Sequence, residues 1–218
     1  MVYKINGKYR LRIFARGLIL MIIWTIQPYA VYQRIIKTGH FYSDPKLSFD
    51  LKDDIDFQRS YRWMIEQMRR KVGAPEKEGS YPIWAWYRHD YQHKRPDFRR
   101  VRDYSDEVCI ELEIPDKKVL LSDFEAWHYV LNNWYYSPAT SEKEWNQSID
   151  WLDSLPEKER QKVKRKSWNR IFDITPRKGD WTKNGDVVQA CFWALSRDQM
   201  RKVWRLRKGQ KTQEIYAI

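Results

Sequence analysis

The fold is decided by residues 21–39, MIIWTIQPYAVYQRIIKTG. The stretch begins with seven mostly apolar residues, several of them β-branched, which is typical of a buried strand. Pro28 suits the first position of a helix, where the N–H that proline lacks would have no partner. Ile35 and Ile36 continue an apolar helical face, and Gly39 provides a helix stop. The sequence therefore predicts that the domain opens with a strand followed by a helix.

Periodicity predicts further elements along the chain. Residues 109–114 alternate between apolar and acidic side chains, which indicates a half-exposed strand with Glu111 and Glu113 on one face. Apolar residues spaced three and four apart predict a long helix over 53–72. Two more strands are predicted, at 81–88 and 187–195. Capping boxes, in which Ser is followed three residues later by Glu or Gln, predict helix starts at Ser122, Ser141, Ser154 and Ser196.

Composition limits the class of protein. The 218 residues suffice for one core, because chains divide into separate cores only beyond about 250 residues. The chain carries 41 Lys and Arg against 29 Asp and Glu, a net charge of +12, together with 12 Trp and 14 Tyr. A basic and aromatic chain favours a polyanionic partner, since rings stack on bases and cations attract phosphates. The alternative is a basic protein whose rings fill its core.

We expect an N-terminal basic and apolar extension at 1–20, one domain at 21–210 and a tail at 211–218. The apolar run at 17–26 is too short to span a bilayer, because a spanning helix needs about 20 residues, so no membrane partner is expected. Cys109 and Cys191 do not suggest a disulfide framework, and a reducing cytoplasm fits best.

Few residues carry an obvious catalytic chemistry. His89 and His93 are four apart but lack a third ligand at suitable spacing, so no metal is predicted. Glu111 and Glu113 could orient a nucleophile or contact a cationic centre, or could be a solvated strand face. Asp123 and His128 lie close to a predicted helix start and could line a pocket, although His128 could equally be a packed histidine. Neither a dinucleotide fingerprint nor a glycine-rich phosphate loop occurs.

Four segments follow one another in an informative order: IIWTIQ at 22–27, PIWAWYR at 82–88, EIPD with LLSD within 113–123, and VQACFWA at 188–194. In this order they resemble the DarT-type ADP-ribosyltransferase toxins, which transfer ADP-ribose from NAD to a nucleic-acid base. The resemblance implies an α+β fold with an ADP-ribosyltransferase-like split, mostly antiparallel sheet and flanking helices.

The resemblance also implies a site. Thr25 and Gln27 match the polar strand residues that hold the NAD ribose, and Arg88 ends the strand that shapes the nicotinamide and substrate site. The residues expected to bind NAD are Trp24, Thr25, Gln27, Tyr32, Trp84, Trp86, Asp123 and His128. The residues expected to be catalytic are Arg88, Gln189 and the residue at position 194.

The last segment departs from the family pattern. The toxins carry a catalytic Glu in the strand that VQACFWA resembles. Either Cys191 or Ala194 occupies its place, and the resemblance favours Ala194, directly after Phe192 and Trp193. That carboxylate would bind the nicotinamide ribose and stabilise the oxocarbenium-like transition state, so its absence predicts very slow transfer. The chain is then an inactivated toxin, a non-catalytic module, or an enzyme that uses Glu111 or Glu113.

The function that the resemblance implies is an NAD-dependent ADP-ribosyltransferase toxin of the cytoplasm. Its substrate would be a base in single-stranded DNA or RNA, NAD would be the co-substrate, and an antitoxin protein would cover the cleft. The alternative function is a non-catalytic protein that binds single-stranded nucleic acid.

Overall fold

The structure is a computed structural model that describes residues 2–5, 8–11, 19–44, 54–99 and 103–218, the first two stretches as backbone only. The strands are β1 (Val2–Ile5), β2 (Lys8–Leu11), β3 (Leu20–Pro28), β4 (His40–Tyr42), β5 (Ile83–Arg88), β6 (Glu107–Pro115), β7 (Leu120–Asp123), β8 (Val188–Phe192), β9 (Ala194–Ser196), β10 (Met200–Leu206) and β11 (Gln213–Ala217). The α-helices are α1 (Tyr29–Thr38), α2 (Ile55–Lys71), α3 (Phe124–Leu131), α4 (Glu142–Ser154) and α5 (Glu157–Ser167). Short 3-10 helices occupy Asp116–Lys118, Trp168–Phe172 and Arg197–Gln199.

The central sheet has seven strands in the order β11-β10-β6-β3-β5-β8-β7, and every neighbouring pair is antiparallel. Strands β4 and β9 form a separate two-stranded sheet, and β1 pairs with β2. This architecture confirms the predicted α+β class, with a mostly antiparallel sheet and flanking helices.

One face of the sheet, which we call the α1 face, packs against α1. Ile23, Ile110 and Ala190 from three strands form a fully buried core there with Ile35 of α1. The helix ends at Gly39, whose φ of +86° places it in the left-handed region that glycine tolerates, as the sequence predicts.

The opposite face, which we call the α2 face, packs mainly against α2 and α3. Trp63 and Met64 of α2 lie in one buried cluster with Trp127 of α3 and Cys191 of β8. Strand β6 therefore alternates as predicted: its apolar residues point to the α1 face, and Glu111 with its acidic neighbour points to the α2 face.

The strand predicted at 187–195 is two strands. Strand β8 ends at Phe192, and Trp193 leaves the sheet because its buried indole N–H donates to the Gly73 carbonyl, 2.8 Å away. Ala194 then begins β9, which pairs with β4 rather than with the central sheet. Ala194 and Gln189 thus lie on different strands.

Two of the four helix starts that the capping boxes predict are confirmed. Ser141 caps α4 by accepting the Glu144 N–H, and Ser196 caps a 3-10 helix. Ser122 lies one residue too early, since Asp123 caps α3. Ser154 does not start a helix; it is the last residue of α4.

The structure describes the C-terminal end of the chain fully and the N-terminal end in part. The tail predicted at 211–218 contains β11, an edge strand on β10, because Ile215 and Tyr216 pack against the core. The extension predicted at 1–20 lies mostly outside the described residues, apart from the backbone of β1 and β2 and residues 19–20.

Candidate functional site

The central sheet is split between β3 and β5. These strands share a single registered pair, Trp24 opposite Trp86, whereas β3 pairs with β6 along its whole length. On one side of that pair the Thr25 hydroxyl donates to the Trp84 carbonyl, 2.7 Å away. On the other side His93 Nε2 donates to the Ile22 carbonyl, 2.8 Å away. Side chains thus supplement a short main-chain pairing at this junction, where four strands of the sheet meet the other three.

Two of the predicted NAD-binding residues lie together on the α1 face of the junction. Thr25 is completely buried and accepts a hydrogen bond from Gln27 Nε2, 2.8 Å away. Gln27 is half-buried, and its carboxamide oxygen accepts no hydrogen bond from any described residue. That oxygen can therefore accept a hydrogen bond from a ligand hydroxyl. Tyr32 lies on α1 beside the same core, and burial raises the pKa of its phenol.

A row of residues crosses the α2 face through the junction. Register places Glu111, Trp24, Trp86, Gln189 and Ser122 side by side on five adjacent strands. The Trp24 indole is buried and donates to Glu111 Oε2, 2.9 Å away, and Gln189 Nε2 donates to the Ser122 hydroxyl at 3.2 Å. Trp24 and Glu111 therefore bind each other at one end of the row, and Gln189 and Ser122 bind each other at the other end. Trp86 is the half-buried ring between these two pairs.

Other rings surround Trp86. The centroid of His89 lies 4.8 Å from it and that of Phe124 lies 5.2 Å from it, and Phe124 contacts His128 edge-on. His128 Nδ1 also lies 3.2 Å from the Glu125 carbonyl within α3. His128 thus reaches the junction only through Phe124, while Trp86 and His89 border it directly.

Arg88 and Asp123 hold the loop before β8. Arg88 Nη1 donates to the carbonyls of Ile174 and Gly185, at 2.8 and 3.0 Å. Asp123 accepts the Gly185 N–H at 2.6 Å and caps α3 by accepting the Ala126 N–H at 2.8 Å. The hydrogen bonds that Arg88 Nη1 and the Asp123 carboxylate make here are with the protein's own backbone, so these contacts hold the loop in place.

Ala194 lies at a different edge. Its cross-strand partner is Tyr42 of β4, and the Tyr42 hydroxyl donates to Glu76 Oε2 at 3.4 Å. Lys118 Nζ donates to the other oxygen of Glu76 at 3.2 Å. These contacts connect position 194 to a carboxylate on the loop after α2. Sequence reasoning missed Glu76, because no local pattern marks it.

The two acids proposed to replace the glutamate that position 194 lacks are engaged elsewhere. Glu113 Oε1 accepts from Arg201 Nη1 at 2.8 Å, and Arg201 Nε lies 3.7 Å from Glu111. Because the Trp24 indole also donates to Glu111, both carboxylates belong to one half-buried network of hydrogen bonds and ion pairs on the α2 face.

A surface cleft of about 400 Å³ opens on the outer side of Asp123. Its rings are Tyr129, Tyr136, Trp145 and Trp181, and its charged groups are Asp123, Glu125, Asp180, Asp186 and Lys183. Carboxylates outnumber the one cation, so the cleft repels a pyrophosphate. We therefore place the candidate site at the junction and not in this cleft.

Among the described residues no group of three or more His, Cys, Asp or Glu could hold a metal ion. Within the same part of the chain, every helix is too short or too polar to cross a bilayer.

The fold and the junction define an α+β domain with a seven-stranded antiparallel sheet and flanking helices. Residues 22–201 match the model of a family described as a domain of unknown function, DUF3841, and the chain belongs to this family. The match begins inside β3 and ends inside β10, so it includes both sides of the split and position 194. No curated protein and no solved structure matches the chain.

Proposed function

We propose that the protein is a cytoplasmic ADP-ribosyltransferase toxin that takes NAD and a base of single-stranded nucleic acid as substrates. The observation that carries the proposal is the short junction between β3 and β5, where Thr25 holds the carboxamide of Gln27 on the α1 face. A split antiparallel sheet with a polar pair on its first strand is the arrangement that the resemblance to the DarT-type toxins implies.

The residues at the junction are suited to a dinucleotide. The free carboxamide oxygen of Gln27 can accept a hydrogen bond from a ribose hydroxyl, and Thr25 holds that carboxamide in place. The Tyr32 ring of α1, which packs on the same face as Gln27, offers an aromatic surface to a planar group such as nicotinamide. In the reaction, the bond from nicotinamide to ribose breaks, neutral nicotinamide leaves, a nitrogen or oxygen of the base bonds to the same ribose carbon, and the proton of that atom is released to water.

A carboxylate would stabilise the positive charge that develops on the ribose. Position 194 supplies none, and Ala194 favours a second candidate function, a non-catalytic protein that binds single-stranded nucleic acid. Binding of NAD distinguishes the two functions. An antitoxin that covers the junction is the protein partner that a toxin of this kind requires.

The test is a calorimetric titration of the purified protein with NAD. We expect saturable binding, and we expect Gln27→Ala to weaken it about fivefold, because one hydrogen bond is worth about 1 kcal/mol. Gln213→Ala, an exposed glutamine on the edge strand β11, is the matched control and should bind as the parent does. Heat signals that show no saturation with NAD would exclude the enzyme and leave the binding protein.

A further inference from the structure

Two basic helix ends meet on the surface. Arg165 Nη2 of α5 donates to Glu66 of α2 at 2.6 Å, and Arg70 of α2 donates to Asn169, which follows α5, at 3.1 Å. The ammonium of Lys71 lies 4.7 Å from the Phe172 ring centroid. These contacts place cations from the last turns of α2 and α5, and from the 3-10 helix after α5, next to one another. We call them the basic patch: Arg69, Arg70, Lys71, Lys164, Arg165, Lys166 and Arg170.

The charge of the patch exceeds what the helix ends need. Cations at a helix C-terminus balance about half a negative charge from the helix dipole, so two ends account for about one unit. The described ion pairs of the seven cations are with Glu66 and Glu78. Roughly four positive charges therefore face solvent without a counter-charge, and the patch attracts a polyanion.

An exposed indole borders the patch. The Trp134 carbonyl accepts from Trp168 Nε1 at 2.7 Å, and Tyr136 N–H donates to Ser167, the last residue of α5, at 3.0 Å. Trp134 as a whole residue remains 57% exposed. An exposed ring beside clustered cations is the combination that holds single strands, because phosphates contact the cations and a base stacks on the ring.

The patch is also close to position 194. Gly73 lies two residues after Lys71, and its carbonyl accepts the indole N–H of Trp193 at 2.8 Å. A chain held at the end of α2 is therefore near the residue that precedes Ala194.

We propose that the basic patch and Trp134 bind the backbone and one base of single-stranded nucleic acid and lead the strand to position 194. The inference rests on the proposed function, whose substrate it places. An anionic membrane suits the surface less well, because α5 has no buried residue and Val163 is its one apolar side chain, so it has no apolar face to insert.

The test measures fluorescence anisotropy of labelled single-stranded DNA and RNA oligonucleotides in 0.1 M KCl without NAD. Each phosphate contact to a single strand contributes about 0.7 to the slope of log K against log salt. Lys71→Gln with Lys166→Gln should therefore weaken binding about 25-fold and reduce that slope by about 1.4. Lys37→Gln with Lys211→Gln removes the same charge elsewhere, including one cation from the last turn of α1, and should change affinity less than threefold.

The indole is tested in the same assay. Trp134→Ala should weaken binding about tenfold through lost stacking. Trp181→Ala is the control, since Trp181 is 49% exposed but lies among carboxylates. Equal losses in the two lysine pairs would overturn the inference, and so would patch-dependent binding to anionic vesicles with oligonucleotide binding unchanged.

The outcomes separate this inference from the proposed function. Oligonucleotide binding through the patch without any NAD binding supports the inference and refutes the enzyme. Transfer of ADP-ribose by the Ala194→Glu variant, with an oligonucleotide KM that stays unchanged when Lys71→Gln and Lys166→Gln are added, supports the enzyme and refutes the inference.

Discussion

Gly185→Ala tests whether Arg88 and Asp123 serve the fold of the loop before β8. Gly185 has a φ of +67°, and a Cβ at this position would lie 2.5 Å from the Ile174 carbonyl oxygen and 3.0 Å from Arg88 Nη1. The left-handed conformation costs an alanine about 1–2 kcal/mol. The Cβ also displaces the carbonyl that Arg88 binds, and a hydrogen bond from a charged group is worth about 1.5–3 kcal/mol. We therefore expect a loss of about 3–5 kcal/mol.

Gly209→Ala is a matched control for backbone conformation. Its φ is +70°, nearly the same as that of Gly185, but a Cβ there would have no neighbour within 4 Å. The expected loss is the conformational part alone, about 1–2 kcal/mol. The difference between the two variants thus isolates the clash with the Arg88 hydrogen bond.

Urea denaturation, monitored by tryptophan fluorescence, measures the free energy of unfolding of both variants, and thermal denaturation measures their melting temperatures. At about 2–4 °C per kcal/mol for a chain of this size, Gly185→Ala should melt roughly 10 °C below the parent and Gly209→Ala roughly 4 °C below it. Two variants of equal stability would refute the structural role assigned to Arg88, and its guanidinium would then be available to a substrate.

Three further predictions concern single groups. Thr25→Val should destabilise the protein by about 2 kcal/mol in thermal unfolding, because it leaves a buried carbonyl and an amide without their partner at the split; an unchanged melting temperature would contradict this role. Hydrogen bonding to Arg177 lowers the pKa of Asp173 to about 2, so its contribution to stability is complete above the ordinary pKa near 4 and is lost as pH falls through 2. Asp173→Asn should make acid unfolding less dependent on pH in that range, and identical acid titrations of the two proteins would count against the ion pair. Burial raises the pKa of both Cys109 and Cys191, so a thiol reagent should label neither before the protein unfolds, and rapid labelling at pH 8 would contradict their burial.

Local patterns in the sequence predicted four of the seven strands of the central sheet, β3, β5, β6 and β8, and missed β7, β10 and β11. The strict alternation around Glu111 placed the β6 acids on one face, and the apolar run with Pro28 and Gly39 gave β3 and α1 within one residue at each end. These signals are reliable because burial on one face imposes a period on the residues themselves.

Contacts between distant residues left no such signal. His93 closes one side of the split by binding the Ile22 carbonyl, which is 71 positions away in the sequence. Trp193 ends β8 because its indole reaches the Gly73 carbonyl, 120 positions away, and periodicity continued the strand through it. The separation of Ala194 from Gln189 follows from that one hydrogen bond, so only the tertiary structure could reveal it.

The central proposal is that NAD is the substrate of this protein and that position 194 lacks the carboxylate that transfer of ADP-ribose requires. The most direct measurement is transfer of label from NAD, labelled in its adenylate part, to single-stranded DNA and RNA oligonucleotides by the Ala194→Glu variant, with Ala194→Gln as the matched control. The account predicts labelled oligonucleotide with the Glu variant and little or none with the Gln variant or the parent. Folded Glu variant that leaves every oligonucleotide unlabelled, or equal labelling by the Glu and Gln variants, would contradict it.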